Sequence, residues 1–287
     1  MVEPKTLIGK NNVLFLTNDS GKELQIHCEN LNLINDMTLS RFTFNNYWLF
    51  VYPNKSLIYK DFLPDNFVVR YRPALRVYKN KFKDNIYDLY SFLKDETDVY
   101  YKTDTHINFK GNYSVYRFFI NTINSRLNLN LVPKELSLSV KLCNLSELQL
   151  GIGDLTWPVN LGNQHLANTV DNYYYSNESP SFSCVHKINN EDGIRFLDYN
   201  LNDNTYLLEN QVVNWDIVSK YIIYKKNDNI HNLKVLFFYD SFFLGALPLY
   251  LNLFSEVYFV KDVYSNDIIN LIKPTFVFEF RVERFLV

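Results

Sequence analysis

Residues 234–280 read KVLFFYDSFFLGALPLYLNLFSEVYFVKDVYSNDIINLIKPTFVFEF, and this segment has the most regular alternation of predicted strands and helices in the sequence. It opens with an apolar run over 234–239, which is typical of a strand in a parallel sheet that is covered on both faces. Asp240 and Ser241 end that run. The residues after them predict a helix over 242–254, in which Pro248 would introduce a kink because proline has no backbone N–H.

The rest of the stretch repeats the same alternation. Apolar runs predict strands at 257–260 and 275–280, and helical spacing over 268–272 predicts a helix that Pro274 terminates. Strand, helix, strand, helix, strand is the half-unit of a doubly wound sheet. We therefore predict an α/β fold with a doubly wound, flavodoxin-like parallel sheet, in which reactive groups gather beyond the carboxyl ends of the strands.

The upstream part of the chain is less regular, although it contains the same kinds of element. Apolar runs predict strands at 13–16 and 47–52, and helical spacing predicts an amphipathic helix over 84–94. A second helix is predicted after Gly111, with Asn112 or Ser114 near its N-cap. These elements would extend the α/β sheet.

The middle of the chain has a different pattern. From about residue 136 to residue 224, short alternating runs are separated by Asn- and Asp-rich turns, which predicts a mostly β insertion. No repeat of fixed period and no clear linker divides the sequence. Residues 1–287 are therefore expected to form a single domain that carries this insertion.

Composition excludes some classes of function. The formal charge is −2 and the sequence pI is about 6.2, so no excess of basic residues is available to bind a nucleic acid. Aromatic residues make up 17% of the chain, which suits contacts with sugar rings, although an A/T-rich coding bias explains the same excess. The three cysteines, Cys28, Cys143 and Cys184, are far apart, which argues against a disulfide framework or a structural zinc site.

The N-terminal residues lack the basic and apolar regions of a secretion signal, and no apolar run is long enough to span a membrane. The expected location is cytoplasmic for the chain as it stands. If a leader has been removed, the expected location is periplasmic or at the cell surface.

Ser241 lies where chemistry is expected in an open sheet. It directly follows the apolar strand, so its hydroxyl would be exposed at the sheet edge and its own N–H would help to form an oxyanion hole. The alternative is that Asp240 or Ser241 only caps the following helix.

A carboxylate and an imidazole occur together in the segment 99–108, which reads VYYKTDTHIN. Asp104 and His106 are two residues apart at the end of a β-like run, so both can project to the same side. A carboxylate that accepts the Nδ1–H of the ring leaves Nε2 available to take a proton from a serine hydroxyl. The alternative is a solvated turn with an incidental histidine.

These two segments resemble the SGNH hydrolase-like O-acetyltransferases, the family of the alginate O-acetyltransferases AlgX and AlgJ, in which a D-x-H motif lies upstream of a G-D-S-like serine segment. The likeness covers most of the chain, and further similar segments are GKNNVLFL at 9–16, VYPNKSLIY at 51–59, GDL at 153–155 and the tail over 273–286. The chain departs from the family at Tyr239, where a glycine is usual, and at Ile107, where a tryptophan is usual.

The resemblance implies an SGNH-like fold, permuted so that the D-x-H motif precedes the serine. It also implies that Ser241 carries the acyl group, that His106 is the general base and that Asp104 orients the histidine. Asp240 is expected to shape the turn or cap the next helix. Asn108 is either a second oxyanion donor or a structural turn residue.

Two cations are candidates for contact with the substrate. Lys55 and Arg284 lie in segments that resemble the family, and either could meet an anionic sugar. The alternative is that both are ordinary solvated or helix-end charges.

The expected activity is O-acetyl transfer to a bacterial capsule or exopolysaccharide, with no tightly bound cofactor and no metal. The acetyl donor would be acetyl-CoA or a group relayed by a membrane-bound partner. The alternatives are a carbohydrate acetylesterase with the same triad and a catalytically silent glycan-binding protein. A metal-dependent hydrolase has little support, because none of the five histidines has H-x-H or H-E-x-x-H spacing.

Overall fold

The computed structural model describes residues 6–17, 21–29, 44–70, 72, 84–143, 154–156, 169–177, 182–190, 193–202, 205–208, 211–212, 221–226 and 231–286. The strands among them are β1 (Thr6–Ile8), β2 (Leu14–Leu16), β3 (Tyr47–Tyr52), β4 (Ile86–Asp88), β5 (Leu138–Cys143), β6 (Asn172–Asn177), β7 (Phe182–Asn190), β8 (Gly193–Asn202), β9 (Thr205–Leu208), β10 (Gln211–Val212), β11 (Tyr221–Lys226), β12 (Lys234–Tyr239), β13 (Glu256–Val260) and β14 (Phe276–Val282).

The α-helices in the described ranges are α1 (Glu23–Glu29), α2 (Lys55–Ile58), α3 (Tyr90–Leu93), α4 (Phe109–Leu127), α5 (Leu247–Tyr250) and α6 (Asn266–Ile272). Short 3-10 turns occur at Lys10–Asn12, Lys60–Phe62, Asp154–Thr156, Leu244–Ala246 and Glu283–Phe285. Within the part of the chain that the structure describes, no helix is both long enough and apolar enough to cross a bilayer.

The main sheet contains a parallel half and an antiparallel half. Its order is β10-β9-β8-β7-β11-β13-β12-β14-β3-β4. The five strands from β13 to β4 are parallel to one another, whereas the five from β10 to β11 are antiparallel to their neighbours. The predicted α/β class is therefore confirmed, and so is a mostly parallel central sheet, which antiparallel strands extend beyond β13. Antiparallel neighbours need only short connections, which the turn-rich middle of the chain supplies.

Strand β12 lies near the centre of the parallel half and is buried on both faces. Val235, Phe237 and Tyr239 point to the face that α4 covers, while Leu236 and Phe238 point to the face that α6 covers. Fully burying an apolar side chain of this size stabilises the fold by about 1.5–3 kcal/mol. This two-sided burial explains why the strand has no polar alternation.

The connections of β12 diverge at its carboxyl end. The chain leaves β12, returns on one side as β13, and then crosses to the other side as β14. In open α/β sheets, ligands bind where the connections diverge in this way. Ser241 follows β12 directly and so lies at that point.

Three predicted helices differ in the structure. The helix expected over 84–94 is instead strand β4 followed by the single turn α3, because Ile86 pairs in register with Leu49 of β3. The helix expected over 242–254 is a turn, a 3-10 turn and the four-residue α5, since Pro248 supplies no N–H for a longer helix. The helix expected to begin near Asn112 or Ser114 begins earlier, at Phe109.

The segment 136–224 has the expected β character where it is described. Strands β5 and β6 pair with each other in a separate two-stranded sheet, and β7 to β11 continue the main sheet. Of the cysteines, Cys28 is a free thiol, and the side chains of Cys143 and Cys184 lie outside the described residues, as does Gly153 of the GDL segment.

Candidate active site

The turn that carries Ser241 is held by the carboxylate in front of it. Asp240 Oδ1 accepts the backbone N–H of Phe242 at 2.9 Å, and Oδ2 accepts the N–H of Val282 at 2.7 Å. The first contact closes the turn, and the second fixes the turn to the end of β14. Asp240 therefore shapes the turn, which is one of the two roles expected for it.

The backbone N–H of Ser241 has no hydrogen-bond acceptor within the described ranges, and the side chain is only partly buried. Ser241 lies in a turn. Its N–H therefore does not belong to the N-terminus of the helix that the sequence predicts after it. A backbone donor without a partner beside a reactive hydroxyl is suited to hold an oxyanion.

Asp104 and His106 lie in a loop, not at the end of a strand. An isolated bridge between Tyr100 and Ile107 closes the loop, and Asp104 Oδ1 accepts the backbone N–H of His106 at 2.8 Å. Asp side chains commonly accept the N–H two residues further on, which bends the chain tightly. The two side chains meet because of this turn, so the expected strand alternation is the wrong reason for their proximity.

The structure brings Ser241, His106 and Asp104 together although the serine is 135 residues from the histidine. His106 Nδ1 is 2.6 Å from Asp104 Oδ1, and His106 Nε2 is 2.8 Å from Ser241 Oγ. A single ring tautomer satisfies both contacts: Nδ1–H donates to the carboxylate, and Nε2 accepts the serine hydroxyl proton. The imidazole side chain is 29% exposed, so a ligand can approach it.

The charges of this cluster shift its acid–base properties. Burial opposes ionisation of Asp104, but the charge and hydrogen bonds of His106, with the backbone N–H of Asp154, hold the pKa of this carboxyl well below its usual value. Burial also disfavours the imidazolium, yet the charge and hydrogen bond of Asp104 and the charge of Asp154 raise the pKa of His106. Burial and the charge of Asp104 raise the pKa of Asp154.

Asp154 was expected only as part of the similar GDL segment, and no role was predicted for it. Its backbone N–H donates to Asp104 Oδ2 at 3.0 Å, and its Oδ1 accepts the N–H of Thr105 at 2.8 Å. Its Oδ2 accepts the Thr105 hydroxyl at 2.5 Å. The segment similarity was the only sequence signal that could have found it.

Lys55 is not placed to meet a sugar, which corrects the expectation of a substrate contact. The residue is 2% exposed, and its Nζ donates to the backbone carbonyls of Leu14 at 2.7 Å, Lys102 at 2.8 Å and Asp104 at 3.0 Å. These three acceptors match the three protons of an ammonium group. Burial lowers the pKa of Lys55 to about 7, and the charges of Asp104 and other nearby carboxylates oppose this shift.

Arg284 is also internal, so the second expected substrate contact is corrected as well. The residue is 5% exposed, and its Nη1 donates to Glu23 at 3.1 Å and to Asn54 at 3.4 Å. Its guanidinium lies 5.0 Å from the ring of Phe242, whose centroid is 5.0 Å from that of His106. Arg284 therefore contacts the site through Phe242.

Asn108 has a structural role. Its Oδ1 accepts the backbone N–H of Gly111 at 3.1 Å and its Nδ2 donates to the carbonyl of Asp98 at 2.5 Å. It is thus the N-cap of α4, and because the residue is only 1% exposed it is not placed to fill the oxyanion role considered for it. Gly111 is required there, since an added Cβ would lie 2.8 Å from the carbonyl oxygen of Val99.

One group of side chains has the spacing of a cation site. Among the described residues, Asp104, His106 and Asp154 each offer one ligand atom within 4.8 Å of the others. These atoms already bond to one another and to Thr105. A bound cation would take Nδ1 away from Asp104 and so disrupt the contact that orients the ring.

No family model matches the sequence, and no curated protein matches it. Comparison with solved structures gives clear likenesses. PatB1 of Bacillus cereus has a TM-score of 0.65 at 16% identity, with 99% of this chain and 97% of that chain covered. PatB1 with a sulfonyl adduct has a TM-score of 0.60 at 16% identity, with 98% and 96% covered.

Two further structures are similar. A DHHW family protein of Eubacterium siraeum has a TM-score of 0.63 at 15% identity, covering 100% of this chain and 93% of that one. The O-acetyltransferase domain of Pseudomonas putida AlgJ has a TM-score of 0.53 at 15% identity, covering 99% and 92%. This chain therefore shares its fold with PatB1 and with the AlgJ O-acetyltransferase domain, and the resemblance expected from its D-x-H and D-S segments is confirmed at the level of the fold.

Proposed function

We propose that this protein is a serine acyltransferase that moves acetyl groups onto the hydroxyls of a polysaccharide or glycan through an acyl intermediate on Ser241. The observation that carries the proposal is the continuous contact from Asp104 through His106 to Ser241 at the carboxyl end of β12. The structural neighbour AlgJ, whose compared domain is described as an O-acetyltransferase, supports the type of reaction.

In the first step the serine accepts the acetyl group. His106 Nε2 takes the proton from Ser241 Oγ, and Oγ attacks the carbonyl carbon of the acetyl donor. The backbone N–H of Ser241 donates to the resulting oxyanion. The intermediate then collapses, the donor's leaving group departs with the proton from His106, and acetyl-serine remains.

In the second step the acetyl group moves to the sugar. His106 takes the proton of a carbohydrate hydroxyl, whose oxygen attacks the acetyl-serine carbonyl, and Ser241 Oγ leaves with that proton. Water in place of the sugar would give an acetylesterase. The outcome depends on how well the acceptor site holds a sugar and excludes water.

The acetyl donor is part of the proposal. Acetyl-CoA would serve a chain that acts in the cytoplasm, whereas a membrane-bound partner would relay the acetyl group to a chain that acts outside it. Because both routes end at Ser241, the same site would serve either donor.

A catalytically silent glycan-binding protein is the second candidate, and one observation bears on it. The bulky Tyr239, where the family usually has glycine, is 1% exposed and packs against Phe243 at 5.5 Å between ring centroids. Its side chain thus points into the core and not toward the reactive hydroxyl. The substitution does not block the site, which favours the enzyme.

Hydrolysis of 4-nitrophenyl acetate tests the shared chemistry. We expect Ser241→Ala to lower kcat/KM by at least about 100-fold, because the nucleophile is lost. The matched control is Ser91→Ala, which changes an exposed serine on α3 and should leave the rate unchanged. Wild-type activity in Ser241→Ala would contradict the proposal.

A sulfonyl fluoride separates the enzyme from the silent protein. PatB1 has been seen with a sulfonyl adduct, which supports this choice of probe. An activated Ser241 should take up one sulfonyl group per chain, and Ser241→Ala should take up none. A glycan-binding protein without an activated serine would not react in either form.

A further inference from the structure

Asp154 reaches the candidate active site from a distant part of the chain. It begins the 3-10 turn Asp154–Thr156, about fifty positions after the loop that it contacts. Three hydrogen bonds join it to that loop, one from its backbone N–H to Asp104 and two into its carboxylate from Thr105. The contact is reciprocal, because each segment both donates and accepts.

We propose that Asp154 is a positioning residue of the active site, and this inference rests on the proposed function. Its carboxylate binds the N–H and hydroxyl of Thr105, the residue between Asp104 and His106. That bond places the backbone N–H of Asp154 against Asp104 Oδ2, while Oδ1 binds the histidine. The Asp104 carboxylate is therefore oriented at both oxygens, and the imidazole is held toward Ser241.

The charge of Asp154 gives it a second effect on His106. Its Oδ2 lies 3.7 Å from His106 Nδ1, so it stabilises the imidazolium that forms when the serine loses its proton. Among the described residues, the carboxylate of Asp104 and the guanidinium of Arg284 also act on this imidazole. The charge of Arg284 lowers the pKa of His106, whereas the charges of the two carboxylates raise it. Removal of the Asp154 charge is therefore expected to lower the pKa of His106.

The segment that carries Asp154 has its own attachment to the fold. Leu155 is buried with Leu14 and Val170, and its carbonyl accepts the Thr6 hydroxyl at 3.0 Å. These contacts do not involve the Asp154 side chain. A substitution at Asp154 is therefore expected to disturb the loop without releasing the segment.

Two variants of the full chain separate position from charge. Asp154→Ala removes the bonds to Thr105, and we expect kcat for 4-nitrophenyl acetate to fall about 10-fold to 100-fold, because small displacements of reacting groups are costly. Asp154→Asn keeps an acceptor for the Thr105 N–H and removes the charge. For this variant we expect a smaller loss of kcat, with the midpoint of the kcat/KM profile shifted to lower pH.

A purely structural role would give a different pattern. It would lower the melting temperature and leave both the pH midpoint and the kcat of the folded fraction unchanged, which would overturn the inference. The control is Asp95→Ala, which removes an exposed carboxylate and should change neither value. If Asp154→Ala does not fold, Asp154→Asn and Thr105→Val test the positioning role in its place. The inference then requires each of them to lower kcat or to shift the midpoint of the kcat/KM profile with pH.

The failure of this inference can be distinguished from that of the proposed function. A wild-type protein without Ser241-dependent activity would overturn both. Wild-type activity that requires Ser241, together with an unchanged rate and midpoint in both Asp154 variants, would overturn the positioning role alone.

Discussion

At the residue scale, the candidate chemistry depends on the protonation state of one ring. His106 can take a proton from Ser241 only while Nε2 is unprotonated, and Asp104 can hold the ring only while it is a carboxylate. The pKa of Asp104 is held well below its usual value, so the carboxylate is present throughout the neutral range. The titration of His106 therefore controls the reaction at low pH.

The pH dependence of kcat/KM follows from this arrangement. The pKa of His106 is raised above its ordinary value of 6.5, since the charges of Asp104 and Asp154 outweigh the effect of burial. We expect kcat/KM to rise with pH through a midpoint above 6.5, measured with 4-nitrophenyl acetate after subtraction of the Ser241→Ala rate.

The direction in which kcat/KM changes with pH identifies the group that titrates. A base gains activity as it loses its proton, whereas deprotonation of Lys55, whose pKa is about 7, would weaken the loop and lower activity. A flat profile, or a midpoint below 6.5, would contradict the assignment of His106 as the base.

The three residues that meet in the candidate active site could be singled out from sequence, whereas their supporting contacts could not. Ser241 was predicted from its place after an apolar strand, and Asp104 and His106 from their residue types and spacing. Lys55 and Arg284 were misread as surface cations, because the sequence does not show that distant carbonyls and carboxylates surround them. The role of Asp154 needed the same long-range information.

At the element scale, the loop between Tyr100 and Ile107 is held from two sides. Asp154 contacts it near the site, and the ammonium of Lys55 at the start of α2 binds the carbonyls of Lys102 and Asp104 from beneath. The same ammonium binds Leu14 of β2, whose N–H donates to the carbonyl of Lys102 at 2.8 Å. The small β1–β2 sheet is thereby attached to the candidate active site.

Lys55→Met tests this attachment. The methionine side chain has no N–H donor, so the carbonyls of Leu14, Lys102 and Asp104 would lose the hydrogen bond from the ammonium, and any buried group left unsatisfied costs about 1–3 kcal/mol. We expect a lower free energy of unfolding by urea denaturation and a lower kcat in the folded protein. Lys60→Met, at an exposed lysine nearby, is the control. Equal stability of the two variants would show that the ammonium does not hold the loop.

Elements were predictable where burial alone determines them. The short apolar runs at β3, β12, β13 and β14 are typical of strands covered on both faces, and these strands are where they were expected. The helix predictions were wrong where an interaction other than burial determined the local structure. Pairing with β3 made 86–88 a strand, and Pro248, which has no N–H and lies in the first turn of α5, prevents a continuous helix from 242.

At the scale of the whole molecule, the fold brings together residues from three separate parts of the sequence. The loop before α4 supplies Asp104 and His106, the turn after β12 supplies Ser241, and the GDL segment supplies Asp154. The antiparallel strands β7 to β11 extend the sheet from β13, on the side of β12 away from β14. This extension could not be predicted because strand order depends on contacts between segments and not on local pattern.

The most direct test of the proposed acyl intermediate on Ser241 is to locate the acetyl group on the protein. The protein is mixed with 4-nitrophenyl acetate, quenched rapidly with acid, digested and mapped by mass spectrometry. We predict one acetyl group on Ser241, and none at that position in wild-type protein quenched before the substrate is added. Turnover of the ester with no acetyl group on Ser241, or with the acetyl group carried by another residue, would contradict the account.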